Sequence, residues 1–171
     1  SNFTGRYIYR GDRSITEEGL NNSSAKTLPK GTVLFSSRAP IGYLAIAGKD
    51  VSTNQGFKSI VCNENKISNI FLYYLMGIKR YELQNMAGGS TFKEVSGKIV
   101  KEFKIPVPPL KEQKAIAHIL STLDEKVEVN NQINKKLEEM AQTVFKHWFV
   151  DFEFPNENGE PYKSSGGEMV E

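Results

Sequence analysis

Two histidines, one cysteine and a few adjacent carboxylates are the groups of this chain that could do acid–base, nucleophilic or metal chemistry. Their spacing argues against each. His118 and His147 stand 29 positions apart within one helical pattern, about eight turns, so one helix cannot close them on a metal. Each reads as a surface or packing residue. Cys62 ends the apolar run FKSIVC (57–62) and reads as a small core residue with no disulfide partner. Glu17-Glu18 and Glu138-Glu139 lack the apolar surroundings that would raise a carboxyl pKa for acid catalysis, and read as solvated faces. GGST (88–91) is glycine-rich without the lysine of a P-loop, and the chain has no CxxC and no GxGxxG with an acidic partner. Nothing in this inventory requires an enzyme.

Three polar loops offer a different chemistry. SSRAPIG (36–42), STNQGF (52–57) and GGSTFKEVSGK (88–98) place Ser, Thr, Asn, Gln, Arg and Lys beside glycines. Such side chains contact phosphates singly and base edges in pairs, Asn and Gln suiting adenine and Arg guanine, while glycine lets backbone approach closely. The same residues also build ordinary turns. The candidate DNA face is Arg38, Asn54, Gln55, Lys58, Ser90, Thr91, Lys93 and Lys98. Asn54 and Gln55 are the candidates for base readout, and Lys93 and Lys98 for phosphate. Charge distribution agrees. Residues 1–108 carry 15 Lys+Arg against 8 Asp+Glu, residues 109–150 carry 6 and 6, and residues 151–171 carry 1 and 6. A basic first part is a mild pointer to a polyanion.

The elements that must position these loops fall into three segments. Residues 1–108 have short runs rich in β-branched and aromatic residues, VLFSSRA (33–39), YLAIA (43–47) and FKSIVC, punctuated by Gly31, Pro40, Gly42, Gly48 and Gly56. ISNIFLYYLMGIKRYELQNMA (67–87) has helical spacing, with Ser68 as N-cap and Gly88-Gly89 as the stop. EVSGKIVKEF (94–103) is a candidate short helix before an apolar, strand-like FKIPV (103–107). The fold class expected is α+β, a mixed α/β domain followed by a long helix. No apolar run is long enough to span a membrane, and the first residues lack a signal peptide's apolar stretch. With the lone cysteine, this suits a cytoplasmic protein.

Residues 109–150 form the long helix, launched at Pro108-Pro109, where prolines fit a first turn. A heptad places Ile116, Leu123, Asn130, Leu137 and Val144 at a, and Ile119, Lys126, Ile133, Met140 and His147 at d, with Leu120, Val127, Ala141 and Trp148 at e. The expected partner face is Ile116, Ile119, Leu123, Val127, Asn130, Ile133, Leu137, Met140, Val144 and Trp148. Such a stripe must pack against something long. Asn130 either fixes register or marks a surface break. Residues 151–171, polar and acidic, read as a linker or tail.

KGTVLFSSRAPIGYLAIAGKDVSTNQGFKSIV (30–61), the GGSTFKEVSGK loop, the PPLKEQKAI junction (108–116) and the FKHWFVDFEFP end (145–155) closely resemble the DNA specificity subunit of type I restriction–modification systems. The resemblance covers nearly the whole chain. It implies a target recognition domain (1–108) joined to a conserved-region helix (109–150). Two such halves would read a split DNA site, with antiparallel helices acting as a ruler for the spacer and docking methyltransferase subunits. S-adenosylmethionine would belong to the methyltransferase, and ATP to a restriction (motor) subunit reached indirectly, leaving this chain without a cofactor. One recognition unit and one helix are present, and the start looks short for the family. A fragment or half-subunit is therefore expected, with the recognition domain N-terminally truncated. The unpartnered helix favours an antiparallel homodimer on double-stranded DNA. The alternative is a coiled-coil scaffold without DNA binding of its own.

Overall fold

The structure, a computed structural model, describes residues 5–89 and 93–168. Three of its strands grow from the apolar runs: β2 (Val33–Ser36), β3 (Leu44–Ala47) and β4 (Phe57–Ile60). They are shorter than the runs because Pro40 and Gly42 turn the chain. Gly42 sits at φ 97°, and a Cβ there would collide with the Arg80 side chain, so the turn requires glycine. A two-residue strand, β1 (Tyr7–Ile8), was not expected from its sequence and completes the sheet. The sheet order is β1-β3-β2-β4. β1 pairs parallel with β3, and β2 pairs antiparallel with both β3 and β4.

β2 is buried along its whole length, so it reads as a continuous apolar run rather than an alternation. Val33 and Phe35 point to one face and Leu34 to the other, as the pleat requires. Register places Ile46 opposite Val33 and Ala45 opposite Leu34. The first face carries the core: Val33, Phe35 and Ile46 meet Leu72, Met76, Leu83 and Val95. Leu72 and Met76 lie one turn apart on α2 (Asn69–Ile78). The 67–87 helix is in fact two, because the chain reorients at Lys79 before α3 (Arg80–Asn85), which inserts Leu83. α1 is a five-residue turn of helix, Glu17–Asn21, capped by Thr16 Oγ1 accepting from Gly19 N. α4 (Gly97–Glu102) is capped by Ser96 Oγ accepting from Ile99 N.

FKIPV is not a strand. Residues 104–109 run without sheet pairing, since Pro106, Pro108 and Pro109 offer no backbone donors. Phe103 and Ile105 still pack against the core, so the apolar signal was real while the ladder was not. The prolines lead directly into α5 (Leu110–Phe145), 36 residues or about 54 Å. A π-helical turn, Lys146–Val150, follows it.

The chain forms two compact units, residues 1–122 and 123–171, so their boundary falls inside α5. The first turns of α5 belong to the first unit because Gln113, Ala117 and Ser121 are buried. In the second unit, residues beyond α5 fold into hydrogen-bonded turns. Pro155 and Pro161 form an antiparallel bridge, Phe154 stacks on Tyr162 at 4.7 Å, and Glu153 accepts from Ser164 N and Oγ. Those bonds hold the Glu153 carboxyl below its usual range.

Candidate nucleic-acid interface

Backbone bonds gather the three polar loops at one end of the sheet. Ser37, just past β2, lies between the other two. Its N–H donates to Gly56 O at 2.8 Å, and its carbonyl accepts from Val95 N at 3.0 Å. Gly88 and Glu94 exchange reciprocal bonds of 3.1 and 2.9 Å, closing the third loop into a hairpin-like bridge. The Arg38 loop is internally braced. Ser36 Oγ donates to Pro40 O at 2.7 Å and accepts from Tyr43 N at 2.8 Å, around a cis Ala39–Pro40 peptide.

Glu94 is the electrostatic centre of this end, and sequence reasoning missed it. Its Oε2 accepts from Arg38 Nε and its Oε1 from Lys58 Nζ, both at 3.0 Å. The hydrogen bonds from Lys58 and then Arg38 hold its carboxyl below the ordinary value of 4.5. Lys58 is the more enclosed cation, 21% exposed, and also lies 3.5 Å from Gln55 O. It therefore ties loops together. Arg38 is half exposed, at 51%. Its Nε bond uses one of five donors and orients the guanidinium plane, so the remaining N–H groups form a presented fork suited to phosphate or guanine. One acid between two bases is invisible to a search for basic stretches. Its only sequence signal is an acidic residue directly after Lys93 in a basic loop.

The remaining candidates divide. Asn54 is exposed, but its Oδ1 accepts from Gly56 N at 2.9 Å. A paired adenine contact would have to share that oxygen, because adenine needs donor and acceptor together. Gln55 and Lys93 are exposed beside these loops. Lys98 is exposed on α4 and enters none of the bonds just described. Ser90 and Thr91 lie outside the described residues.

A groove of about 540 Å³ opens on the sheet face away from the core, floored by Ile8, Leu34 and Phe57 and rimmed by Arg10, Arg13 and Asn54. Arg10 and Arg13 were not among the sequence candidates. Their signal is RGDR (10–13), two cations flanking Gly11 and Asp12, and Asp12 lines the groove with them. Beside Asn54 they extend the basic surface along the loop end.

Cys62 is half-buried against the core, and burial, with Glu64 nearby, pushes its thiol up to about 11. His118 and His147 are exposed. Among the described residues no three His, Cys, Asp or Glu side chains are grouped to hold a metal, and no helix is long and apolar enough to cross a membrane. Along α5 and the turn after it, the apolar residues of the expected partner face are all exposed, from 39% at Trp148 to 64% at Met140, while Leu120 is half-buried. Asn130 is exposed within the same stripe.

The chain thus has a mixed sheet that collects polar loops around an Arg38–Glu94–Lys58 cluster, followed by a long helix with an open apolar stripe. The chain belongs to the type I restriction modification DNA specificity domain family, whose model matches residues 2–139. The specificity subunit of the type I restriction enzyme MjaIX from Methanocaldococcus jannaschii is 45% identical over 160 residues, which is 92% of this chain and 37% of that protein. The HindI specificity subunit from Haemophilus influenzae is 30% identical over 142 residues, 78% of this chain and 31% of that one. Among solved structures, the type I S subunit from M. genitalium shares the fold with a TM-score of 0.60 at 23% identity, covering 86% of this chain and 39% of that chain. The chain thus spans about a third of the length of the curated relatives it matches. None of these matches supports the scaffold alternative.

Proposed function

We propose that this chain is a non-catalytic DNA-recognition unit of a type I restriction–modification system, and that the loops around Glu94 form its DNA face. The observation that carries the reading is the gathering of three loops, distant in sequence, around Arg38, Lys58 and Glu94 at one sheet end. Arg38 then takes a base edge or phosphate with its oriented fork. Lys93, Arg10 and Arg13 supply phosphate contacts that fix register without reading sequence. Lys98 and the exposed amides of Asn54 and Gln55 remain within the proposed face.

Catalysis belongs to other subunits in this reading. A methyltransferase subunit bearing S-adenosylmethionine docks on the helix, and an ATP-dependent restriction subunit joins indirectly. The exposed stripe on α5 pairs antiparallel with the same helix of a second copy, giving a homodimer that presents two recognition domains to a split site. Support for this comes from the nine apolar side chains of the expected partner face, all left open along the helix and the turn after it, more than a solitary surface helix carries.

The test is reconstitution with the cognate methyltransferase, followed by sequencing of methylated sites and a salt series of duplex binding. A split palindromic motif and a steep fall of affinity with salt are expected. Failure to shift any duplex, alone or with the methyltransferase, would refute DNA recognition by this chain.

A further inference from the structure

Gln113 is a polar side chain with no solvent exposure at the root of the long helix. Its carboxamide is engaged on three sides. Oε1 accepts from Ser68 N at 2.9 Å, and Nε2 donates to Lys66 O at 3.1 Å and to Pro108 O at 2.8 Å. The surroundings fix which end is oxygen, since two carbonyls face the amide nitrogen and one N–H faces the other atom. Two of these partners are 45 and 47 positions away in sequence, so this is a tertiary tie and not a local cap.

The position of the tie matters. Ser68 is the N-cap of α2 and makes no side-chain capping bond of its own; its N–H goes to Gln113. α2 carries Leu72 and Met76 into the core beneath the sheet. Pro108 ends the extended run that leaves the core at Phe103 and Ile105. Gln113 therefore joins the first turn of α5 to both structures that hold the recognition sheet. The other buried residues of α5 are Ala117 and Ser121, on the same face at successive turns. Both are small, and small side chains seat a helix over a range of rotations. Hydrogen bonds are directional and do not. A slip of one residue would turn the helix by about 100° and carry Ile116 and Ile119 away from their exposed positions.

We infer that Gln113 is a positioning residue that sets the rotation and exit direction of α5 from the recognition domain, and so sets how sharply the assembled protein discriminates spacer length. The spacing role rests on the split-site function proposed above; the tie itself does not. Each base pair of spacer moves a half-site by about 3.4 Å, so a loosened root would accept neighbouring spacers.

Two variants test this. Gln113→Met removes the three bonds at nearly constant volume. Gln113→Asn keeps the carboxamide but draws it back by one methylene, and serves if the methionine variant does not fold. The full chain, reconstituted with its methyltransferase, is given duplexes whose spacer varies one base pair at a time. Wild type methylates one spacer length. The variants methylate the same half-site sequences, with discrimination against spacers one pair longer or shorter reduced about tenfold or more. A uniform fall at every spacer, or an unchanged profile in a folded variant, overturns the spacing role. On the chain alone, the Ser68 amide exchanges with solvent at least tenfold faster in either variant, and an unchanged rate overturns the tie. A wild-type chain that directs methylation to no split site overturns the function proposed above and the spacing role with it, leaving the tie to be decided by the Ser68 amide.

Discussion

Leu137 lies in the middle of the α5 stripe, with 57% of its surface exposed. Replacing it with alanine removes three carbons, worth about 2.4 kcal/mol if fully buried at ~0.8 kcal/mol per methylene. Slightly more than half of that surface is open, so association can recover roughly 1.4 kcal/mol per copy. A symmetric antiparallel dimer counts the site twice. Leu137→Ala should therefore weaken self-association by about 2.7 kcal/mol, close to a hundredfold in Kd. The monomer should be affected little, since alanine is the better helix former and Leu137 is not part of the buried core. Sedimentation equilibrium over a micromolar range reads Kd directly, and far-UV circular dichroism checks helicity. Lys136→Ala, one position off the stripe, is the control and should dimerise as wild type does. If wild type is monomeric at micromolar concentration, or Leu137→Ala matches it, the stripe is not a self-association surface and the homodimer argument fails.

Other outcomes follow from the loop end and the core. Arg38→Ala should weaken binding to the methylated motif by about 1–3 kcal/mol, whereas Glu94→Gln, which releases Arg38 and Lys58, should tighten binding to unrelated duplex and steepen its salt dependence, both read by fluorescence anisotropy. Opposite signs for these two variants are required; a parallel loss would mean that Glu94 only holds the loops together. Because Lys58 and Arg38 hold the Glu94 carboxyl below 4.5 in the folded chain, its stabilising contribution is present above that pH and is lost as pH falls through the lowered value. The Tm gap between wild type and Glu94→Gln should then be constant from pH 6 to 8 (about the range of maximal stability) and shrink in acid, and a gap that grows in acid would reverse the assignment. The Cys62 thiol, pushed up to about 11, should react with iodoacetamide at pH near 8 far more slowly than free cysteine (pKa about 8.5). Equal rates would place the thiol in solvent.

The sequence by itself determined a good deal. Periodicity located α2 and above all α5, because a 3.6-residue pattern sustained over ten turns has few competing explanations. β-branched runs between glycines located β2, β3 and β4 to within a few residues. The PPLKEQKAI junction carried the family resemblance. What it could not determine were features made by residues far apart in the chain. β1 has two residues, too short for any pattern, and exists only because β3 offers it an edge. FKIPV has the composition of a strand, but its prolines withhold the donors that a ladder needs.

The candidate interface divides in the same way. Residue type nominated Arg38, Lys58 and Asn54, yet only tertiary structure gave them different tasks. Glu94, 56 and 36 positions from its two partners, leaves Arg38 half exposed and turns Lys58 inward, while Gly56 occupies the Asn54 oxygen. Gln113 sat in the quoted junction motif with no visible purpose, because its purpose lies at Ser68 and Lys66. Local propensity decides which segments become helix or strand. Whether a polar side chain is a reader, a brace or a clamp depends on which distant donor or acceptor burial has left facing it, and that is settled only when the chain has folded.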